Sequence, residues 1–203
     1  SISNVERVIG GSGDDVLTGD GLGNRLEGGI GADTLSGGGG IDSIFGGDGA
    51  DIIHGGAAND SLDGGAGNDI FNWAMTDGRD TFRGGADTDT LNMTGSGVND
   101  VARANWNGTV ITGLLDNSLT DIEAIHLDLA AGGSVGDWLQ YNTSFGISVD
   151  LAAGTATRFA SITSVENIIG GTGGDTLTGD AGSNKIQGGD GDDVISGGGA
   201  GDN

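Results

Sequence analysis

The chain has 203 residues, no cysteine, no proline and a formal net charge of −23, with 30 Asp and Glu against 7 Lys and Arg. That length allows one solenoid or two small units, and the missing thiols exclude disulfides and thiolate metal sites. The scarcity of basic residues argues against nucleic acid and against an anionic membrane surface as partners, and no apolar stretch is long enough for membrane insertion.

In chain order, Ser1-Ile2-Ser3-Asn4-Val5-Glu6-Arg7-Val8-Ile9 alternates apolar and polar residues and runs directly into Gly10-Gly11. It reads as a lead-in strand. From Gly10 to Asn72 one phrase of nine residues, Gly-Gly-x-Gly-x-Asp-x-(Leu/Ile/Phe)-x, occurs seven times without a break in register. It returns once in degenerate form at Gly84, and again at Gly170, Gly179, Gly188 and Gly197. A fixed period of this kind specifies stacked, near-identical structural units.

Position eight holds Leu17, Leu26, Leu35, Ile44, Ile53, Leu62 and Phe71, then Leu91, then Leu177, Ile186 and Ile195. A disordered Gly/Asp-rich linker would show no such register, so an ordered solenoid is expected when the acidic charge is neutralised. The first six residues of each phrase form a turn, where glycine supplies positive φ or lets another backbone approach. The last three, such as Thr34-Leu35-Ser36, form a short strand with its middle side chain inward. Two phrases make one coil. Asp15, Asp33, Asp51 and Asp69 then stack along one edge, and Asn24, Asp42 and Asp60 along the other. In the second array Asp175 stacks with Asp193, and Asn184 with Asp202.

Between the arrays, Ser118-Leu119-Thr120-Asp121-Ile122-Glu123-Ala124-Ile125-His126 is a further copy of the lead-in, continuing into Leu127-Asp128-Leu129. Phe145, Ile147, Val149 and Leu151 alternate as a half-buried strand, and Ala152-Ala153-Gly154 turns the chain into Thr155-Ala156-Thr157 as a hairpin. Trp138 and Tyr141 read as core residues more readily than as a sugar-stacking platform. Ser161-Ile162-Thr163-Ser164-Val165-Glu166-Asn167-Ile168-Ile169 repeats the first lead-in strand before Gly170-Gly171. Glu6, Glu123 and Glu166 lie in no catalytic constellation, and His54 and His126 lie in no zinc motif, so no enzyme activity is expected of this chain.

Stacked carboxylates on a partly desolvated edge repel one another and call for a hard cation. Calcium accepts six to eight carboxylate and carbonyl oxygens in flexible geometry, whereas magnesium is stricter and zinc prefers nitrogen or sulfur.

This nonapeptide resembles that of the RTX (repeats-in-toxin, haemolysin-type) calcium-binding family over roughly 110 residues. The resemblance implies an all-β fold: a right-handed parallel β-roll, here two roll segments flanking a β-rich central region. It implies calcium between successive turns, at the pairs Asp15/Asp33, Asp33/Asp51, Asp51/Asp69, Asp42/Asp60 and Asp175/Asp193, with Asn24/Asp42 and Asn184/Asp202 weaker and Asp89 in the lone copy. Roughly five to eight ions would be held. The remaining ligands would be carbonyls of the glycine turns: Gly10, Gly11, Gly13, Gly28, Gly29, Gly31, Gly37, Gly38, Gly40, Gly46, Gly47 and Gly49, then Gly170, Gly171, Gly173, Gly188, Gly189 and Gly191. Leu22, Ala58 and Ala200 replace the fourth-position glycine, as does Asp87, and a Cβ there should distort the turn.

The expected organisation is a first roll over 1–92, a β-rich region over 93–169, and a second roll over 170–203. The resemblance further implies a secreted bacterial protein that folds on calcium outside the cell after type I secretion, as one part of a longer chain with further domains on either side. The alternative is a calcium-rigidified adhesin or polysaccharide-binding module with a glycan or cell-surface partner, appended to an extracellular enzyme.

Overall fold

The computed structural model describes residues 6–96, 101–106, 111–114, 117–120, 124–129, 137–199 and 201–203; of 101–126 it describes backbone only. These residues form two compact units, Ser1–Met93 with Asn117–Ala124, and Thr94–Asp116 with Ile125–Asn203. Among them there is no helix.

The first unit is a parallel β-solenoid. One sheet stacks β1 (Arg7–Ser12), β3 (Arg25–Ile30), β5 (Ser43–Asp48), β7 (Ser61–Ala66) and β9 (Thr81–Ala86). The facing sheet stacks β2 (Val16–Thr18), β4 (Thr34–Gly39), β6 (Ile52–Ala57), β8 (Ile70–Ala74) and β10 (Thr90–Thr94). The register is that of two phrases per coil: Leu26 pairs with Ile44, Ile44 with Leu62, Leu35 with Ile53 and Ile53 with Phe71. Leu26, Leu35, Ile44, Ile53, Leu62, Phe71, Phe82 and Leu91 are all buried and form the aliphatic and aromatic ladder expected of position eight. No phrase could bury such a residue alone; stacking supplies the partners above and below. Leu17 is only half-buried. A later segment, Asn117–Thr120, adds to this sheet beside β9, with Leu119 opposite Phe82.

The strands are longer than the expected three residues. Most in the first unit have six, because the Gly-Gly pair extends the ladder: Gly29 pairs with Gly47, and Gly47 with Gly65. The turn proper shrinks to a short link such as Gly31-Ala32-Asp33, between β3 and β4. First-position glycine is required by close approach. A Cβ on Gly46 would fall against Asp51 Oδ2 and 2.5 Å from the Gly64 carbonyl oxygen. Second- and fourth-position glycines such as Gly47 (φ 121°) and Gly49 (φ 129°) occupy backbone conformations that a side chain disfavours. Gly46→Ala is therefore expected to cost about 1–3 kcal/mol or more. Gly21→Ala, whose Cβ meets nothing within 4 Å, should be near neutral. Thermal melts of the two variants in calcium check the contrast.

Fourth-position substitutions behave differently from one another. Ala58 (φ 100°) and Asp87 (φ 80°) keep the left-handed turn despite their Cβ atoms. Leu22 does not; its turn has relaxed out of positive φ.

A further coil lies where the sequence pattern lapses. Ser61 pairs with Thr81 and Leu62 with Phe82, a step of 20 residues rather than 18, so Trp73–Arg83 is a nonapeptide phrase stretched by two. Trp73 and Ala74 stand in for its glycine pair.

The second unit is also built from short stacked strands. They are β11 (Val101–Trp106), β12 (Ile111–Leu114), β14 (Ala124–Asp128), β15 (Trp138–Asn142), β16 (Ser148–Asp150), β17 (Thr155–Ala156), β18 (Ser161–Thr163), β19 (Asn167–Ile169), β20 (Thr176–Thr178), β21 (Lys185–Gln187) and β22 (Val194–Ser196), while β13 is the Asn117–Thr120 segment of the first unit. Within this unit β11, β15, β19 and β21 stack in parallel, as do β16, β20 and β22. The expected hairpin forms, with Val149 opposite Ala156 and Asp150 opposite Thr155. Ile147 and Val149 are buried and Phe145 is not. Tyr141 is core: it is buried, its hydroxyl donates to the Thr157 carbonyl, and its ring meets Phe159 edge-on. Leu177 is fully buried, whereas Ile195 is 48 % exposed because β22 is the last strand of its sheet.

Candidate metal centre

Each sixth-position residue sits at the end of a turn, where the chain enters the next strand, and its side chain folds back over that turn. In the first unit the structure brings the predicted columns together. The backbone N–H of Asp15 donates to Asp33 Oδ1 at 2.8 Å, Asp33 to Asp51 at 2.8 Å, Asp51 to Asp69 at 2.9 Å, and Asp69 to Asp89 at 2.9 Å. On the other edge Asn24 donates to Asp42 at 2.7 Å and Asp42 to Asp60 at 2.8 Å. One carboxylate oxygen of each stacked residue is thus bound to the coil below.

The second oxygen has a different fate. Oδ2 of Asp33, Asp42, Asp51, Asp60 and Asp69 is buried and receives no hydrogen bond. Each of these oxygens lies against the first glycine of its own turn, and for Asp33, Asp42, Asp51 and Asp69 a carbonyl oxygen of the next coil also arrives there: Gly46 O at Gly28, Gly55 O at Gly37, Gly64 O at Gly46 and Gly84 O at Gly64. The carbonyls of Gly11, Gly29, Gly38 and Gly47 likewise point along the stack at the second glycine of the neighbouring coil, and those of Gly13, Gly31 and Gly49 at the fourth. Buried carboxylate oxygens without donors are costly. A donor set of carboxylate and carbonyl oxygen alone is what a hard cation accepts. Among the described residues no three carboxylates or imidazoles converge, so carbonyls would have to complete any coordination sphere.

The electrostatics agree. Burial, the dominant cause, raises the carboxyls of Asp51 and Asp60 to about 6 and of Asp69 to about 7, with neighbouring aspartates pushing the same way; Asp42 shifts in that direction too. A folded-state value above the unfolded one means that the cation-free coil binds protons more tightly than the unfolded chain. This contribution favours folding fully below about pH 4 and is lost as pH rises through 6 to 7. Chelator-treated protein is therefore expected to gain β ellipticity on acidification from pH 8 to 5. Equal spectra at the two values would contradict this electrostatic picture.

In the second unit Asp175 N–H donates to Asp193 Oδ1 at 2.9 Å, and Asn184 N–H to Asp202 Oδ1 at 3.1 Å. Asp175 differs from the first-unit aspartates in that its Oδ2 accepts the Gly171 N–H at 2.8 Å. Gly188 O lies at Gly170, Gly171 O at Gly189, and Gly173 O at Gly191.

Three column members escape the nonapeptide pattern. Asp80 accepts the Asp60 N–H at 2.8 Å and is buried, with its carboxyl raised to about 7 chiefly by burial. Asp137 is also buried, and its N–H donates to Glu166 Oε2 at 2.6 Å, so Glu166 takes the place of an aspartate in the column above Asn184. The spacing Asp-x-(aromatic or Leu) in Asp80-Thr81-Phe82 and Asp137-Trp138-Leu139 is the signal that would have found two of them. His54 stays out of the columns, its Nε2 lying 3.3 Å from Asn72 Nδ2, and the His126 side chain lies outside the described residues.

No curated protein matches the chain. A family model for the RTX calcium-binding nonapeptide repeat (4 copies) matches residues 3–35, 18–53, 27–62, 36–71, 76–92 and 169–203. These matches span more than half of the sequence and fall on the turns whose carboxylates stack, and the chain belongs to the RTX calcium-binding repeat family.

Proposed function

We propose that this chain is a calcium-driven folding module of a secreted bacterial protein, in which ions held between successive turns neutralise the buried aspartate columns and thereby close the solenoid. The observation that carries this reading is the set of five buried Oδ2 atoms, on Asp33, Asp42, Asp51, Asp60 and Asp69, that no protein donor reaches. The ligands would be the stacked pairs Asp15/Asp33, Asp33/Asp51, Asp51/Asp69, Asp69/Asp89, Asp42/Asp60 and Asp175/Asp193, with Asn24/Asp42 and Asn184/Asp202 weaker for want of a charge. Carbonyls of the adjoining glycine turns fill the remaining positions.

The net charge of −23 opposes compaction of the cation-free chain, so binding energy becomes folding energy. Extracellular calcium modules have dissociation constants of roughly 10^-4 to 10^-3 M, above cytosolic calcium levels. Such a chain stays open inside a cell and folds outside, which suits export through a type I secretion channel. Isothermal calorimetry with parallel far-UV circular dichroism tests the reading: about five to eight calcium ions should bind as β structure appears. Equal response to magnesium, or binding without a spectral change, would overturn it.

A further inference from the structure

We propose that the free edge of β1 and β2, the side facing away from β3 and β4, is a docking site for an extended segment of the Asp137–Asp150 type, supplied by a preceding tandem copy of this unit and added as one more coil. The proposal goes beyond the calcium reading: it concerns what covers the first coil, whichever cation holds the turns.

An internal duplication carries it. Residues 1–43 and 161–203 are identical at more than half of their positions, at a constant offset of 160. Glu166, β19 and β20 therefore correspond to Glu6, β1 and β2. In the second unit this coil has another beneath it. Leu139 pairs with Ile168 and Val149 with Leu177, and both Ile168 and Leu177 are fully buried. In the first unit β1 and β2 are the terminal strands of their sheets. Val8 and Leu17, the counterparts of Ile168 and Leu177, are only half-buried. The same sequence is thus covered in one place and open in the other.

The polar groups at the open edge match those already engaged in the second unit. Asp175 Oδ1 accepts the Ile147 N–H at 3.0 Å, and Glu166 Oε2 accepts the Asp137 N–H at 2.6 Å. Their counterparts, Asp15 Oδ1 and the Glu6 carboxylate, receive no donor among the described residues, although Asp33 Oδ1 one coil up accepts the Asp15 N–H. Thr172 N–H donates to the Thr143 carbonyl and Thr176 N–H to that of Ile147, each at 2.8 Å. Ser12 and Val16 hold the corresponding places, and their N–H groups have no acceptor among the described residues. The space is also clear. Thr143 O stands where a Gly171 Cβ would fall, whereas nothing lies within 4 Å of that position on Gly11 or Gly13. An unpaired strand edge of this kind is a template for an added strand. The occupant must offer apolar residues at two inward places, as Leu139 and Val149 do, and backbone N–H groups to two carboxylates. The last strands of another molecule, β21 and β22, fit less well: they correspond to β3 and β4, whose next neighbours are β5 and β6 rather than β1 and β2.

The test joins a second copy of residues 137–160 directly ahead of Ser1 in the full chain, which the constant offset makes a native-length connection. In saturating calcium, amide hydrogen exchange at Ser12 and Val16 should slow by at least about tenfold relative to the unextended chain. Leu139→Asp with Val149→Asp in the added segment alone should abolish that protection. Unchanged exchange at both residues in an extended chain of full β ellipticity would overturn the proposal. Should the extended chain fail to fold, a synthetic peptide of residues 137–157 decides: no slowing at Ser12 and Val16 at its highest soluble concentration would overturn it equally. Protection that arises in the unextended chain as its concentration increases, with a matching rise in sedimentation coefficient, would assign the edge to a second molecule and contradict the tandem occupant.

Discussion

Addition of a chelator to the calcium-loaded chain is expected to abolish its β ellipticity. With dissociation constants of roughly 10^-4 to 10^-3 M and 10 mM calcium, each site contributes about 1.4–2.7 kcal/mol by mass action. Five sites then supply roughly 7–14 kcal/mol, as much as the entire stability of an ordinary domain, about 5–15 kcal/mol. The protein has little to set against that loss. Its core is a ladder one residue wide, from Leu26 to Leu91, between strands whose other inward positions are glycine apart from Trp73 and Met93. Five aspartates buried in the same edges become mutually repulsive once the cations leave. Far-UV circular dichroism before and after EDTA, with readdition of calcium, reads the effect; ellipticity that survives chelation at pH 8 would contradict it.

The second large effect is expected at Asp51, the middle of its column. Asp51 stacks between Asp33 and Asp69, so it would serve two cation sites. Asp51→Ala removes a charged ligand from both and also leaves the Asp33 N–H, which donates to Asp51 Oδ1 at 2.8 Å, buried without an acceptor. An unmet buried N–H alone costs about 1–3 kcal/mol. The calcium midpoint should rise by at least about tenfold, the scale on which lost support weakens a metal site. Asp51→Asn separates the two causes, since it keeps an acceptor and loses the charge. It should fold at high calcium with a raised midpoint. Asp190→Ala, on an exposed turn position outside the columns, should leave the midpoint where it was. Equal midpoints for Asp51→Ala and Asp190→Ala would refute the column as the binding element.

Much of this architecture is legible in the sequence because two physical demands fall on fixed positions of the phrase. Position eight must be apolar to enter the ladder, and position six must carry the oxygen that bridges to the next coil. Leu35 and Asp33 are therefore placed by the repeat alone. The length of the strands is not: Gly28-Gly29 reads as turn, yet backbone pairing along the stack draws it into β3. Asp80 was hidden because the phrase before it departs from the pattern: Trp73-Ala74 stands where the glycine pair would be, and Met75 and Thr76 are added. Glu166 was masked by its own length, since a glutamate reaching Asp137 N–H does the work of an aspartate set one bond closer.

The central claim is that cations seated between successive turns hold the solenoid together. Anomalous diffraction from crystals grown in calcium tests it most directly. The claim predicts density peaks in the turns shared by Asp15 and Asp33, Asp33 and Asp51, Asp51 and Asp69, and Asp42 and Asp60. Ordered coils with no peak at any of these turns would contradict it.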